Sequence, residues 1–144
     1  LVTADYLIVD RIRRATGTVP FEWIDRIVIF EAGPPGLGSA NEQIPGSCAD
    51  GSGAGARCNV YDAQEAFAAV ETGDALYFDC TQNPASPSCG WNPRERNDGP
   101  RPQDIDYLGV WIRIDRPYVT GIFGEDFELS TGLIARLEPG STSR

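Results

Sequence analysis

Four cysteines, Cys48, Cys58, Cys80 and Cys89, constrain this chain more than any other feature. They lie in stretches rich in Gly, Pro, Ser and Asn, unlike buried thiols on hydrophobic strands. Four cysteines allow three pairings. No C-x-x-C spacing occurs, which argues against a zinc ribbon or a thioredoxin-type motif. The local pairing, Cys48–Cys58 with Cys80–Cys89, clamps one loop with each bond, and chain entropy assigns about 2.7 kcal/mol to each closure. Two disulfides place the domain outside the cytoplasm.

The rest of the composition narrows the chemistry. A chain of 144 residues matches one domain with a sizeable core. A net charge of −9 argues against a nucleic-acid or anionic-membrane partner. There is no His, and all twelve basic residues are Arg. Histidine-based triads and zinc sites, Schiff-base lysines and a Walker lysine are therefore excluded. No cofactor and no metal site is expected. An enzyme would have to work with carboxylates, as glycosidases do. The acid pairs Asp104/Asp106 and Glu125/Asp126 read more simply as solvated or turn-capping groups. Residues 41–80 carry seven acids against one Arg, either a solvated face or a site for a basic partner. Trp23 and Trp111 read as packing residues, whereas Trp91, between Gly90 and Pro93, is the candidate exposed contact.

Periodicity predicts an α+β plan. Residues 1–16 read as an amphipathic helix with Leu1, Ala4, Ile8, Ile12 and Ala15 on one stripe, an Asp10–Arg14 pair, and Thr3 as a cap if the helix is shortened. Ile8, Ile12 and Ala15 are expected to pack on the sheet, with the first turn projecting beyond it. Residues 23–31 form a strand whose run Ile27–Phe30 is apolar on both faces, as in a central strand. Residues 33–57 read as a long loop. Its Gly36-Leu37-Gly38 is no dinucleotide fingerprint, and its Asp50-Gly-Ser-Gly-Ala-Gly is no calcium loop. Asp62 to Val70 is a short helix capped by Asp62. Residues 107–116 alternate, with Leu108, Val110, Ile112 and Ile114 facing the core. Residues 126–137 form a last strand with a bulge at Gly132, pairing antiparallel with the strand before it, and 140–144 form a frayed tail. The fold class is α+β, an N-terminal helix on a small antiparallel sheet with long disulfide-clamped loops, in a single domain over 1–139.

Several segments together resemble a known family. They are Arg26-Ile-Val-Ile-Phe-Glu-Ala32, Arg57-Cys-Asn-Val-Tyr61, Asp106-Tyr-Leu-Gly-Val-Trp-Ile-Arg113, Pro117-Tyr-Val-Thr-Gly-Ile-Phe-Gly124 and Ala135-Arg-Leu-Glu-Pro139. In that order they resemble the TadE-like pilus-assembly proteins of actinobacteria, minor pilins or pseudopilins of the Tad (Flp, type IVc) system. The resemblance implies a non-enzymatic, extracytoplasmic, pilin-like domain at the cell surface or in the pilus. It also implies a transmembrane helix upstream of Leu1 as the sole membrane attachment, with other pilin subunits and the assembly machinery as partners. The rival reading is a secreted glycan- or ligand-binding module that uses the long loops and Trp91.

Overall fold

The computed structural model describes residues 3–15, 21–81, 86–96, 107–117 and 126–136. Helix α1 spans Ala4–Ala15 and is followed by strand β1, Ile24–Ala32. Two short helices, α2 (Ala40–Gln43) and α3 (Gly46–Asp50), interrupt the segment expected as loop. Strand β2 (Cys58–Asp62) runs directly into helix α4 (Ala63–Glu71), and strands β3 (Tyr107–Pro117) and β4 (Asp126–Arg136) complete the fold. The stretch 118–124, read from the sequence as a turn or a single helical turn, and the tail lie outside the described residues.

The four strands form one antiparallel sheet in the order β2-β1-β3-β4. The central position expected for the Ile27–Phe30 run is the observed one, and all four residues are fully buried. Alternate residues of β1 point to opposite faces. Ile27 and Ile29 join Tyr61, Val110 and Ile114 beneath α1 and α4. Val28 and Phe30 join Val60, Trp111 and the Cys48–Cys58 pair beneath α2 and α3. On β3, Leu108, Val110 and Ile114 are buried as the alternation requires, while Ile112 is half-buried against the same cluster. The β3–β4 ladder runs without a register shift from Tyr107↔Arg136 to Pro117↔Asp126, so no bulge forms at Gly132. Gly132 is instead a contact point: a Cβ there would lie 2.9 Å from the Ala40 methyl of α2. The register does shift in β1, between Ile24 and Arg26.

Helix α1 starts where the shortened reading puts it. Thr3 Oγ1 accepts from Tyr6 N at 3.4 Å, a side-chain cap. Asp10 pairs with Arg14 at 3.1 Å, as its spacing implies. The buried face differs from the expected one. Thr3, Ala4, Asp5 and Val9 are buried, Ile8 and Ile12 are half-buried against the core cluster, and Ala15 is exposed. The helix packs first-turn-in, and the projecting first turn is corrected accordingly. The reason is polar: Asp5 has buried partners waiting for it below.

Gly109 faces Phe30 across the ladder, and a Cβ at 109 would collide with the Phe30 ring. Only glycine lets that ring lie over the strand. Gly109→Ala should lower stability by about 1–3 kcal/mol, through overpacking. A urea midpoint unchanged from the parent would overturn this reading of the Phe30–Gly109 contact.

Candidate functional site

The most concentrated polar chemistry lies inside the molecule, between α1 and β2. Asp5, on the first turn of α1, and Arg96 are ion-paired with both side chains wholly removed from solvent. Arg96 Nη1 donates to Asp5 Oδ1 at 2.6 Å, and Nη2 donates to Oδ2 at 3.1 Å, a two-pronged pair. Asp5 Oδ2 also accepts from Asn59 Nδ2 at 2.7 Å and from the Tyr61 hydroxyl at 2.6 Å. Both donors sit on β2, two residues apart and therefore on one face. Asn59 Oδ1 in turn accepts from Trp91 N at 2.7 Å. The Arg96 guanidinium lies 4.2 Å from the centre of the Trp91 ring, and its Nη2 donates to Trp91 O at 3.2 Å.

Trp91, the candidate exposed contact, is thus 3 % exposed and part of this cluster. It is corrected to a buried platform for Arg96: the guanidinium can be desolvated because an aromatic face and a carboxylate both receive it. Trp23 is partly buried against the main core, and Trp111 is buried, with its Nε1 donating to Asn41 Oδ1 at 2.6 Å. Both are packing residues, as expected. Cys48–Cys58 and Cys80–Cys89 are bonded in the expected local pairing. Asp104, Asp106 and Glu125 lie outside the described residues.

Chemically, the cluster is a buried structural lock. Four donor contacts reach the Asp5 oxygens, three of them at Oδ2 and one at Oδ1. Burial, reinforced by the charge of Asp5 and the hydrogen bond to it, pushes the Tyr61 hydroxyl well above the usual tyrosine range. Tyr61 therefore serves as a permanent donor.

A second feature is open to solvent. Around the far ends of β1 and β2 lies a groove of about 610 Å³, lined by Asp25, Arg26, Asp62, Glu65, Leu76 and Tyr77 among others. The register shift in β1 puts Asp25 and Arg26 at its wall. Its acids come largely from the acidic segment noted above, yet each described one has a local task. Asp62 Oδ1 caps α4 through Glu65 N at 3.0 Å. Glu65 accepts from the Tyr77 hydroxyl at 3.3 Å. Asp50 accepts from Ser52 N, and Asp79 from Thr81 N and Arg94. Asp79 is held below the usual carboxylate range, chiefly by the Thr81 amide. Tyr77 is raised by burial and then by Glu65. Among the described residues no group of three acids or cysteines is placed to hold a metal ion. Leu76, 58 % exposed, is the most exposed large apolar residue of the groove lining.

The sequence missed the central cluster because its members come from three widely separated segments. The nearest signal was Asp5 itself, an acid one turn before Val9 and two before Ile12 on a face that otherwise reads as apolar. Compared with known proteins, the chain matches no family model, no curated protein and no solved structure.

Two outcomes follow from the buried cluster. Arg96→Met leaves a charged, buried carboxylate and should cost about 3–5 kcal/mol, whereas Asp5→Leu with Arg96→Met should cost less than the sum of the two single changes. Urea unfolding of the three variants measures this, and additive losses would show that the two charges do not interact. The second outcome concerns alkaline pH. Above about pH 10 an unfolded tyrosine releases its proton while folded Tyr61 keeps it, so the unfolded state binds fewer protons and stability falls. The Tyr61 contribution should be complete below pH 10 and decline above it by about 1.4 kcal/mol per pH unit. Tyr61→Phe should lower neutral-pH stability by about 1.5–3 kcal/mol and remove that part of the slope. An alkaline slope identical in the variant and the parent would exclude Tyr61 as its source.

Proposed function

We propose that this chain is an extracytoplasmic, non-enzymatic subunit of a pilus-assembly system, of the TadE-like minor-pilin type. The observation that carries the reading is where the resembling segments fall. Arg26–Ala32 lies within β1, Arg57–Tyr61 spans the start of β2, Asp106–Arg113 leads through β3, and Ala135–Pro139 begins at the end of β4. The quoted segments thus touch each of the four strands in chain order, while Pro117–Gly124 lies almost wholly outside the described residues.

Other features support it. An N-terminal helix on an antiparallel sheet, with two disulfides across the connecting loops, suits a subunit exposed to an oxidising exterior. The charged side chains gathered in the interior, Asp5 and Arg96, pair with each other and hold α1 to β2, a structural task that accords with a non-enzymatic subunit. No described helix is long and apolar enough to cross a membrane. Membrane attachment in this proposal comes from a segment preceding Leu1. The partners are other pilin subunits and the assembly machinery, through subunit contacts, and nucleic acid is not among them.

One observation favours the rival, a secreted ligand-binding module: the open groove beside Leu76 and Tyr77. With Trp91 buried, any such ligand would meet the groove and not an exposed tryptophan.

Cross-linking of the native gene product in intact cells separates the two. The pilus reading expects covalent adducts with pilin subunits in the membrane or surface fraction, and altered piliation when the gene is deleted. Normal pili in the deletion strain, together with a glycan array signal abolished by Leu76→Asp, would replace it with the binding module.

A further inference from the structure

The two disulfides differ in what a reductant can reach. Cys48 and Cys58 are fully buried beside Val28, Phe30 and Trp111. Cys80 is also buried, but Cys89 is only half-buried. It lines the large groove and also a second depression, of about 460 Å³, formed with the Gly-rich segment 52–57. Thiol–disulfide exchange needs approach to one sulfur only. Cys89 offers that approach, and neither sulfur of the other bond does.

A short chain of contacts leads from Cys89 to the first turn of α1. Gly90, the next residue, lies so close to the Cys58 carbonyl that no Cβ would fit. Trp91 N is held by Asn59, and Trp91 O and ring hold Arg96. Arg96 neutralises Asp5. The two cysteines stand nine positions apart along the chain, so the bond fixes one end of the segment that delivers Arg96 to α1. With the bond open, that segment keeps only its hydrogen bonds and packing, while unrestrained chain entropy pulls it outward. If Arg96 leaves, Asp5 stays in the interior as an unpaired charge, and the start of α1 must leave with it.

We propose that Cys80–Cys89 is an exchange site for a dithiol reductant, and that its opening unlatches α1 while the sheet stays folded. One thiolate of the dithiol attacks Cys89 Sγ, and Cys80 departs as a thiolate and takes up a proton. The second thiol of the reductant, losing its proton, then displaces Cys89 from the mixed disulfide, and Cys89 is protonated in turn. Two electrons enter the protein, and the dithiol is oxidised to a disulfide. The partner class is thus a dithiol such as that of an extracytoplasmic thiol–disulfide oxidoreductase. This assignment does not depend on the pilus reading.

The experiment exposes the oxidised protein to graded dithiothreitol, alkylates the free thiols, maps them by mass spectrometry and follows amide exchange in the same samples. Cys80 and Cys89 should be labelled about tenfold or more faster than Cys48 and Cys58. In the singly opened species, protection over Ala4–Ala15 should fall by about tenfold or more, while Ile27–Phe30 keep theirs. Simultaneous opening of both bonds, earlier opening of Cys48–Cys58, or unchanged α1 protection would each overturn the proposal. The Cys80→Ser/Cys89→Ser variant should show the same loose α1 without any reductant. Full α1 protection in that variant, or loss of protection throughout the chain, would overturn it as well.

Discussion

Everything on one side of the sheet is arranged around a carboxylate that water cannot reach. Asp5 and Arg96 are 91 residues apart in sequence and meet with no exposure on either side chain. Removing both charges from water costs several kcal/mol per ion, and the mutual attraction offsets that only when further hydrogen bonds complete the shell. Asn59, Tyr61 and Trp91 supply most of that shell, with Arg96 Nε left unpaired among the described residues. A buried pair of this kind is a weak source of net stability. Its effect here is to choose an orientation. The apolar face of α1 is broad, with Ala4, Ile8, Val9 and Ile12 all able to pack, and hydrophobic burial alone does not prefer one rotation strongly. A charged residue with one place to go does.

That choice explains where the sequence was legible and where it was not. The β1 strand was readable because a central strand covered on both faces leaves an unbroken apolar run. The β3 alternation and the Asp62 cap on α4 were readable because both signals are local. The helix was legible in its extent and its Asp10–Arg14 pair, but its rotation was read from its apolar residues alone. The observed inward line, Asp5 to Val9, lies one residue's step, about 100°, from the Ala4–Ile8 stripe. A polar residue set the orientation, and its partners lie too far along the chain for any spacing rule to find them.

The same cause hid β2 and Trp91. In β2 the residues Asn59 and Tyr61 alternate with Cys58 and Val60, and an asparagine in the core reads as a turn residue until its partner is known. Trp91, flanked by Gly90 and Pro93, looked like a loop aromatic, but its ring is covered by the guanidinium it supports. Helices α2 and α3, of four and five residues, are too short to display a period, although Ser39 and Glu42 carry the spacing of a capping box. The disulfide pairing was readable for the opposite reason, since each bond closes a short local loop.

The strand order has a kinetic consequence. β1 is flanked by β2, only some thirty positions onward, and by β3, where Ile29 faces Val110 roughly eighty positions downstream. Sheets closed by such distant partners carry a high contact order and form slowly. During synthesis the first two-thirds of the chain can close both disulfide loops and the β1–β2 pair. The other edge of β1, with its Ile27–Phe30 run, has no strand to pair with until β3 emerges. For that interval the most apolar strand of the protein is also an open template for another chain. The vulnerable species is thus the half-made molecule, and rapid delivery of its C-terminal third is what protects it from self-association.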